Sequence, residues 1–395
     1  MEHILIIGGG IGGAIAHDLT QRGYKVTLFD KGELLSGSTG RHHGLLHSGA
    51  RYALHDVHTA RECFLENQIL RRIAPQSLEQ NDGLFVALDD ADMAYLERFM
   101  ERCRAAGIPV KEFSPAIVRH LEPALNPSII AAVQVPDATM DAWRLGLHFF
   151  AAALNAGADI RPFTEVTAIN CTGHHAHEVV VLDHATHQTY SMRGDIIVNA
   201  AGPWAGNIAA LLGLTLPVRP APGVMVSLGK RLTHKVINRL QPAGEGDIIG
   251  PQRNLSILGT TVWLADDPDQ VELPRKHIQQ MVQSCAQMVP QVAKVPVHAA
   301  WCASRPLVET SQAEGKEDPT KISRTFVCVD HAQHGGIEGF ISIVGGKATT
   351  MRAMAEKAAD MVNAKTGRAN ACQTHRTPLP HYRQFCRTRH ISLDP

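Results

Sequence analysis

The sequence predicts an α/β fold in two domains, one built on a parallel βαβ unit and the other a smaller, mainly antiparallel sheet with helices. Three observations carry that expectation. A glycine cluster lies between an apolar strand and a helix, an acidic residue ends the next strand, and the chain has 395 residues. At roughly 100–200 residues per domain, that length suits two domains or one with large insertions. A hydrophobic fraction of 44% and a charged fraction of 19% exclude a disordered or fibrous chain and supply a sizeable core. Lys+Arg and Asp+Glu are both 38, so no global basic field points to nucleic acid or anionic lipid.

The apolar run 3–7 ends at glycines and reads as a buried parallel strand. A helical pattern follows through Arg22, with Ile11, Ala14, Ile15 and Leu19 on one side, and Gly23 stops it. Tyr24 to Asp30 is the second strand. Gly8-Gly9-Gly10-Ile11-Gly12-Gly13 satisfies G-x-G-x-x-G at the strand-to-helix turn. Gly8, Gly10 and Gly13 allow a tight turn, close approach of a pyrophosphate to a helix N-terminus, and close packing. Asp30 stands at the distance expected of a residue accepting hydrogen bonds from a ribose. An acid there disfavours a 2′-phosphate, but these features alone do not separate NAD from FAD.

The segment from Ser36 to Arg51 is too long for an ordinary connection and is dense in His, Arg and Ser, which marks it as functional. A helix is expected at 57–73, a strand at 83–88 and a helix at 91–106. Pro123, Pro127 and Pro136 interrupt the next stretch. A helix at 141–156, a strand–turn array at 159–193 and a strand at 195–199 follow. The last leads into Ala200-Ala201-Gly202-Pro203-Trp204. Strands, loops and one helix (277–288) fill 218–305. Strands at 326–329 and 339–344 precede Gly345-Gly346-Lys347 and a helix to Ala364. The expected nucleotide domain is 1–80, 146–217 and 326–370, and the cap is 81–145 and 218–325. Residues 371–395, with Arg376, Arg383, Arg387 and Arg389, read as a poorly ordered basic tail.

Eight single cysteines without a C-x-x-C pair argue against a zinc ribbon, a local iron–sulfur motif or a disulfide framework. No signal-peptide or membrane-span pattern is present, so the expectation is a cytoplasmic chain. The turn at Asn199–Gly202 and the Gly345-Gly346-Lys347 turn, added to the first glycine turn, point to a large cofactor touched from several sides. A Lys at such a helix start can stabilise negative charge on a reduced ring.

Thr39-Gly40-Arg41-His42-His43-Gly44-Leu45-Leu46-His47-Ser48-Gly49-Ala50-Arg51-Tyr52 resembles the flavin loop of FAD-dependent glycerol-3-phosphate dehydrogenases, within the DAO type of FAD oxidoreductases. The likeness is closest to the catalytic A subunit of the bacterial anaerobic enzymes. It continues through Ala60–Cys63, Glu66–Leu70, Val198–Trp204, Ser304–Leu307 and Gly339–Lys347. The resemblance implies a glutathione-reductase-type FAD domain and non-covalent FAD. The cofactor-binding residues it implies are Gly8, Gly10, Gly13, Asp30, Thr39, Gly40, Gly44, Leu45, Val166, Ala200, Gly202, Gly345, Gly346 and Lys347. Ala348 and Met351 depart from the bulkier residues expected beside the Gly-Gly-Lys turn.

A flavin oxidising an alcohol takes a hydride at N5 while a base takes the hydroxyl proton. His47 is the candidate base, because imidazole is neutral near pH 7 and the family places a catalytic His there. His42 and His43 beside it are expected to diverge, and no metal site is expected. Arginine forks match phosphate oxygens. Arg51 and Arg305 correspond to the family's substrate arginines and Lys347 to a lysine near flavin and substrate, while Tyr52 adds a hydroxyl. The implied reaction is oxidation of sn-glycerol 3-phosphate to dihydroxyacetone phosphate. The alternatives are oxidation of another 2-hydroxy acid or polyol phosphate, and a non-catalytic FAD-binding scaffold. A plain NAD dehydrogenase would not require the loop after Asp30. The family's catalytic subunit continues into a cysteine-bearing iron–sulfur domain and passes electrons to a membrane quinone. The expectation here is therefore a separate electron-accepting, quinone-linked partner, with the chain at most peripheral at the inner face of the membrane.

Overall fold

The computed structural model describes residues 1–242, 244–308, 325–334 and 336–388. Among them, a six-stranded sheet runs in the order Phe326–Asp330, Phe340–Gly345, Ile196–Asn199, His3–Ile7, Lys25–Phe29, Asp159–Arg161. The first strand pairs in parallel on both sides, Ile4 opposite both Ile196 and Val26. Only the edge strand Phe326–Asp330 is antiparallel. Strand side chains alternate between faces, and here both faces are covered. Ile4 and Ile6 point into a core shared with Ile15, Leu19, Phe149, Phe150 and Met354. Leu5 and Ile7 join Phe29, Val179, Val181 and Phe340 on the other face. That second face is closed by the three antiparallel strands Thr164–Thr172, His175–Asp183 and Gln188–Arg193. Burial on both faces explains why the first strand reads as a continuous apolar run rather than an alternating one.

The cap is an eight-stranded sheet, running from Val297–Val308 through Val218–Leu228, Leu255–Gly259, Ile248–Gln252, Val236–Arg239, Gly83–Ala87 and Ala131–Val135 to Lys111–Phe113. It is antiparallel except where Val236–Arg239 meets Gly83–Ala87. The helix Arg275–Met288 covers one face, through Met281, Cys285 and Met288. The helix Asp90–Ala105 covers the other, through Leu96, Phe99 and Cys103. Leu45–Leu46 pairs with Ala138–Met140 in a separate three-stranded sheet with Leu78–Glu79, and Leu45 packs on Val236 and Ile248 of the cap sheet.

Two expectations need correction or qualification. The helix Ala142–Asn155 runs across the expected 145/146 boundary, and its Leu145, Phe149 and Phe150 lie in the core under the parallel sheet. The tail from residue 371 is not loose over its described part. Leu379 donates its N–H to the Ile73 carbonyl at 2.8 Å, His148 Nδ1 meets the Pro380 carbonyl at 2.7 Å, and a helix forms at Arg383–Thr388. Phe385 is buried with its ring 6.1 Å from Phe150. Two apolar residues among arginines suffice, because they fill a groove beside a helix already in place. Arg389 and the rest of the tail, and residues 309–324 of the expected cap, lie outside the described residues. Among the described residues no helix is long and apolar enough to cross a membrane.

Candidate active site

Between the two sheets lies a cleft of about 1160 Å³. It is lined at one end by Gly8, Gly10 and Asp30, and along its length by Thr39, Leu45, Val166, Ala200, Gly202, Gly345 and Gly346. His47, Arg51, Tyr52, Arg305 and Lys347 line the other end.

The glycine turn is built as a cradle. Gly8 has φ +115°, a conformation open to glycine, and a Cβ there would collide with the Ala200 carbonyl. Asp30 accepts from the backbone N–H of Gly9 at 2.5 Å and of Gly32 at 2.8 Å. These bonds fix the turn and leave further lone pairs on the carboxylate. Burial pushes the Asp30 carboxyl above its usual range.

Three residues expected to touch a cofactor do not line the cleft. A Cβ on Gly13 would sit 2.9 Å from the Phe150 ring, so that glycine lets two helices approach. Gly40 lies against the Leu35 carbonyl and Trp143, and Gly44 against Gln252 and the Met140 carbonyl. All three serve close packing around the loop and its helix. Other residues of the motif do line the cleft, Gly9 and Ile11 among them.

His47 is held at four points. Its backbone N–H donates to Thr349 Oγ1 at 3.1 Å, and the next N–H, of Ser48, donates to Asp137 Oδ1 at 2.7 Å. Asn67 Nδ2 donates to the Leu46 carbonyl at 3.2 Å. The Tyr52 hydroxyl stands 3.5 Å from His47 Nε2. Lys347 Nζ lies 4.6 Å from the centre of the Tyr52 ring, a cation–π contact. Burial, then interaction with the neighbouring His43 and the positive charges of Lys347 and Arg51, hold the His47 pKa well below its ordinary value.

The two arginines differ in setting. Arg51 is ion-paired with buried Asp247 at 2.5 Å and also donates to the Gly244 carbonyl at 2.8 Å and Asn238 Oδ1 at 3.3 Å. The sequence suggested a fork open to an anion, and part of that fork is taken by the cap. Arg305, on Val297–Val308, donates to Thr260 Oγ1 at 3.0 Å and to the Thr261 and Ala221 carbonyls at 3.3 and 3.4 Å.

Sequence reasoning missed several residues. Two adjacent side chains in a loop are expected to diverge, yet His42 and His43 both line the cleft. The rings of His42, His43, His47 and Tyr52 form a row with successive centroid separations of 6.2, 5.8 and 5.3 Å. Their adjacency to His47 was the available signal. Asp137, Asp247 and Thr349 gave none, since each meets the loop from a distant part of the chain. At the Asp30 end, Lys31 Nζ lies 4.6 Å from the Trp204 ring centre, and Trp204 Nε1 donates to Asp269 at 2.9 Å.

Residues 3–352 match the family described as FAD dependent oxidoreductase, DAO. The chain is 41% identical over 396 residues to the A1 subunit of the anaerobic glycerol-3-phosphate dehydrogenase of Haloferax volcanii, covering 97% of this chain and 67% of that one. It is 38% identical to the A subunit of the anaerobic glycerol-3-phosphate dehydrogenase of Escherichia coli K12, covering 95% and 70%. The fold superposes on the FAD complex of glycerol-3-phosphate dehydrogenase from Bacillus halodurans with TM-score 0.72 at 21% identity, over 96% of this chain and 68% of that one. It superposes on the FAD-bound L-alpha-glycerophosphate oxidase of Mycoplasma pneumoniae with TM-score 0.76 at 20% identity, over 96% and 100%.

Proposed function

The chain belongs to the FAD dependent oxidoreductase (DAO) family, and from that premise we propose that it oxidises sn-glycerol 3-phosphate to dihydroxyacetone phosphate, with His47 as the base. FAD is the cofactor, and the cleft fits it. The Gly8 turn offers backbone N–H groups where no side chain intrudes, beside a carboxylate at Asp30. The 1160 Å³ cleft is long enough to run from there to Lys347. Gly8, Gly10, Asp30, Thr39, Leu45, Val166, Ala200, Gly202, Gly345 and Gly346 would hold it, and when bound it supplies the two-electron oxidant.

The observation that carries the reading is the gathering of His47, Tyr52, Arg51, Arg305 and Lys347 at one end of the FAD cleft. His47 takes the hydroxyl proton of the substrate while the hydrogen on the same carbon leaves with its electron pair. The Tyr52 hydroxyl, 3.5 Å from His47 Nε2, holds the plane of the imidazole. Arg305 and Lys347 bring positive charge to an anionic substrate in a buried setting, where charge-assisted bonds are strong. Arg51, already tied to Asp247, serves as a rigid wall with its remaining N–H groups rather than as a free fork. The names of the relatives in Haloferax volcanii and Escherichia coli support the substrate.

Those relatives are named as subunits, and we take the electrons to leave through a separate accepting protein linked to quinone. The test is turnover of the FAD-loaded chain with sn-glycerol 3-phosphate and an artificial dye, quinone, oxygen or NAD⁺. Dihydroxyacetone phosphate formed with dye, and not with NAD⁺, is the expected result. Fast quinone reduction by the chain alone would defeat the partner, and stoichiometric peroxide would make the chain an oxidase. Acid precipitation should release FAD into the supernatant.

A further inference from the structure

His43 has no part in the reading above, yet it lines the same cleft with its ring 5.8 Å from that of His47 and nearly perpendicular to it. Its Nδ1 accepts from the Leu45 backbone N–H at 3.3 Å, two residues on. A ring nitrogen that accepts carries no proton, so in the neutral ring the proton is on Nε2. Among the described residues nothing takes the hydrogen bond that this Nε2–H offers. His42 makes the same turn, accepting from Gly44 N–H at 2.9 Å, but its Nε2 is sealed from the cleft. The His43 side chain is seated against the cap at Gly259, where a Cβ would come within 2.9 Å of its own. The adjoining Thr260 receives the Arg305 guanidinium.

We propose that His43 is a second catalytic imidazole, donating through Nε2–H to the substrate oxygen from which His47 takes the proton. The proposal rests on the reading of His47 as the base. Two edge-to-face rings at this separation leave room for one oxygen at hydrogen-bond distance from both, about 2.7–3.0 Å. As the proton passes to His47 and the hydrogen on the same carbon leaves with its electron pair, which bound FAD would accept, that oxygen carries negative charge in the transition state. A fixed donor aimed at it favours the transition state over the bound alcohol. Burial, then His42, Arg305 and Arg51, lower the His43 pKa to about 3. The ring therefore stays neutral at working pH.

The test compares His43→Asn and His43→Gln in the FAD-loaded chain, by anaerobic stopped-flow reduction with sn-glycerol 3-phosphate. The Asn amide oxygen preserves the turn to the Leu45 N–H but withdraws the donor, while the longer Gln returns an N–H near the place of Nε2. His43→Asn is expected to retain FAD and to lower the limiting reduction rate about 10²-fold. The substrate dissociation constant should move less than threefold, roughly the scale of a bond made mainly in the transition state. His43→Gln should recover at least roughly tenfold of the loss. The acid limb of the pH profile, which belongs to His47, should stay in place. An Asn variant reduced at the unsubstituted rate, an equal loss in both variants, or a loss confined to substrate affinity or FAD content would overturn the proposal alone. Failure of the unsubstituted chain to bleach with any hydroxylated anion would overturn the functional reading beneath it.

Discussion

His47 combines a buried imidazole with a depressed pKa, and the two have one cause. Desolvation disfavours the charged ring, interaction with the adjacent His43 lowers it further, and the Lys347 and Arg51 cations add to this. The neutral, proton-accepting form is therefore kept through neutrality and into mild acid. The acid limb of kcat/KM is expected below the ordinary histidine value of about 6.5, and a limb at or above that value would contradict the assignment. His47→Asn should keep its FAD and lose about 10²–10⁴ in turnover, read by the flavin spectrum and a dye-linked rate. A near-normal kcat would remove His47 from the chemistry. Arg305→Ala should lower kcat/KM for the phosphate substrate at least roughly tenfold, and Arg305→Lys should recover only part of that, since a point charge lacks the fork. An unaffected alanine variant would leave Arg305 a structural residue. These side chains were legible because they sit in short motifs. The Asp247 partner of Arg51 was not, since an ion pair across the cap strands has no local pattern.

At the scale of elements, the chain is most readable where burial leaves a local period. The helix Val57–Ile73 has the bounds its pattern predicted, with an Asp56 cap accepting from the Thr59 N–H at 2.9 Å. The βαβ unit is equally plain, because its first strand is apolar throughout and its glycines mark the turn. The third glycine serves the close packing its motif position implies, but against a partner outside the motif. Gly13 packs on Phe150, a residue of a helix that a single βαβ motif does not reveal. The last described segment was misread, for its ordering comes from partners far away in sequence. Leu379 and Phe385 dock beside Ile73 and Phe150. Phe385→Ala is expected to destabilise the fold by about 3 kcal/mol, the low end for a buried Phe, and to lower Tm measurably while leaving KM unchanged. A Tm equal to that of the unsubstituted protein would mean that this helix contributes nothing to stability.

The whole molecule places its cofactor cleft between a parallel sheet and an antiparallel one, and carries histidines withdrawn from water, half-buried His42 and His43 along that cleft and buried His17 beside Phe149. His17 and His42 are lowered to about 4 and His43 to about 3, each chiefly by burial. Their folded pKa values lie below those of the unfolded chain, so the unfolded state binds protons first as pH falls. The stability they support is complete above about pH 6.5 and is lost on acidification, at up to about 1.4 kcal/mol per pH unit for each ring. Asp30, Asp137 and Glu66 are raised by burial and work in the opposite sense at the acid end. The histidine contribution should therefore make Tm fall from about pH 6.5 down to about pH 4, and a flat Tm over that range would contradict the burial of these rings. The central claim is oxidation of a phosphorylated polyol at this cleft. Its most direct test is anaerobic mixing of the FAD-loaded chain with sn-glycerol 3-phosphate, glycerol and a series of 2-hydroxy acids, following the yellow flavin band. The account predicts rapid bleaching by sn-glycerol 3-phosphate alone, with one dihydroxyacetone phosphate formed for each FAD reduced. A flavin that stays yellow with sn-glycerol 3-phosphate and bleaches with a 2-hydroxy acid would contradict it.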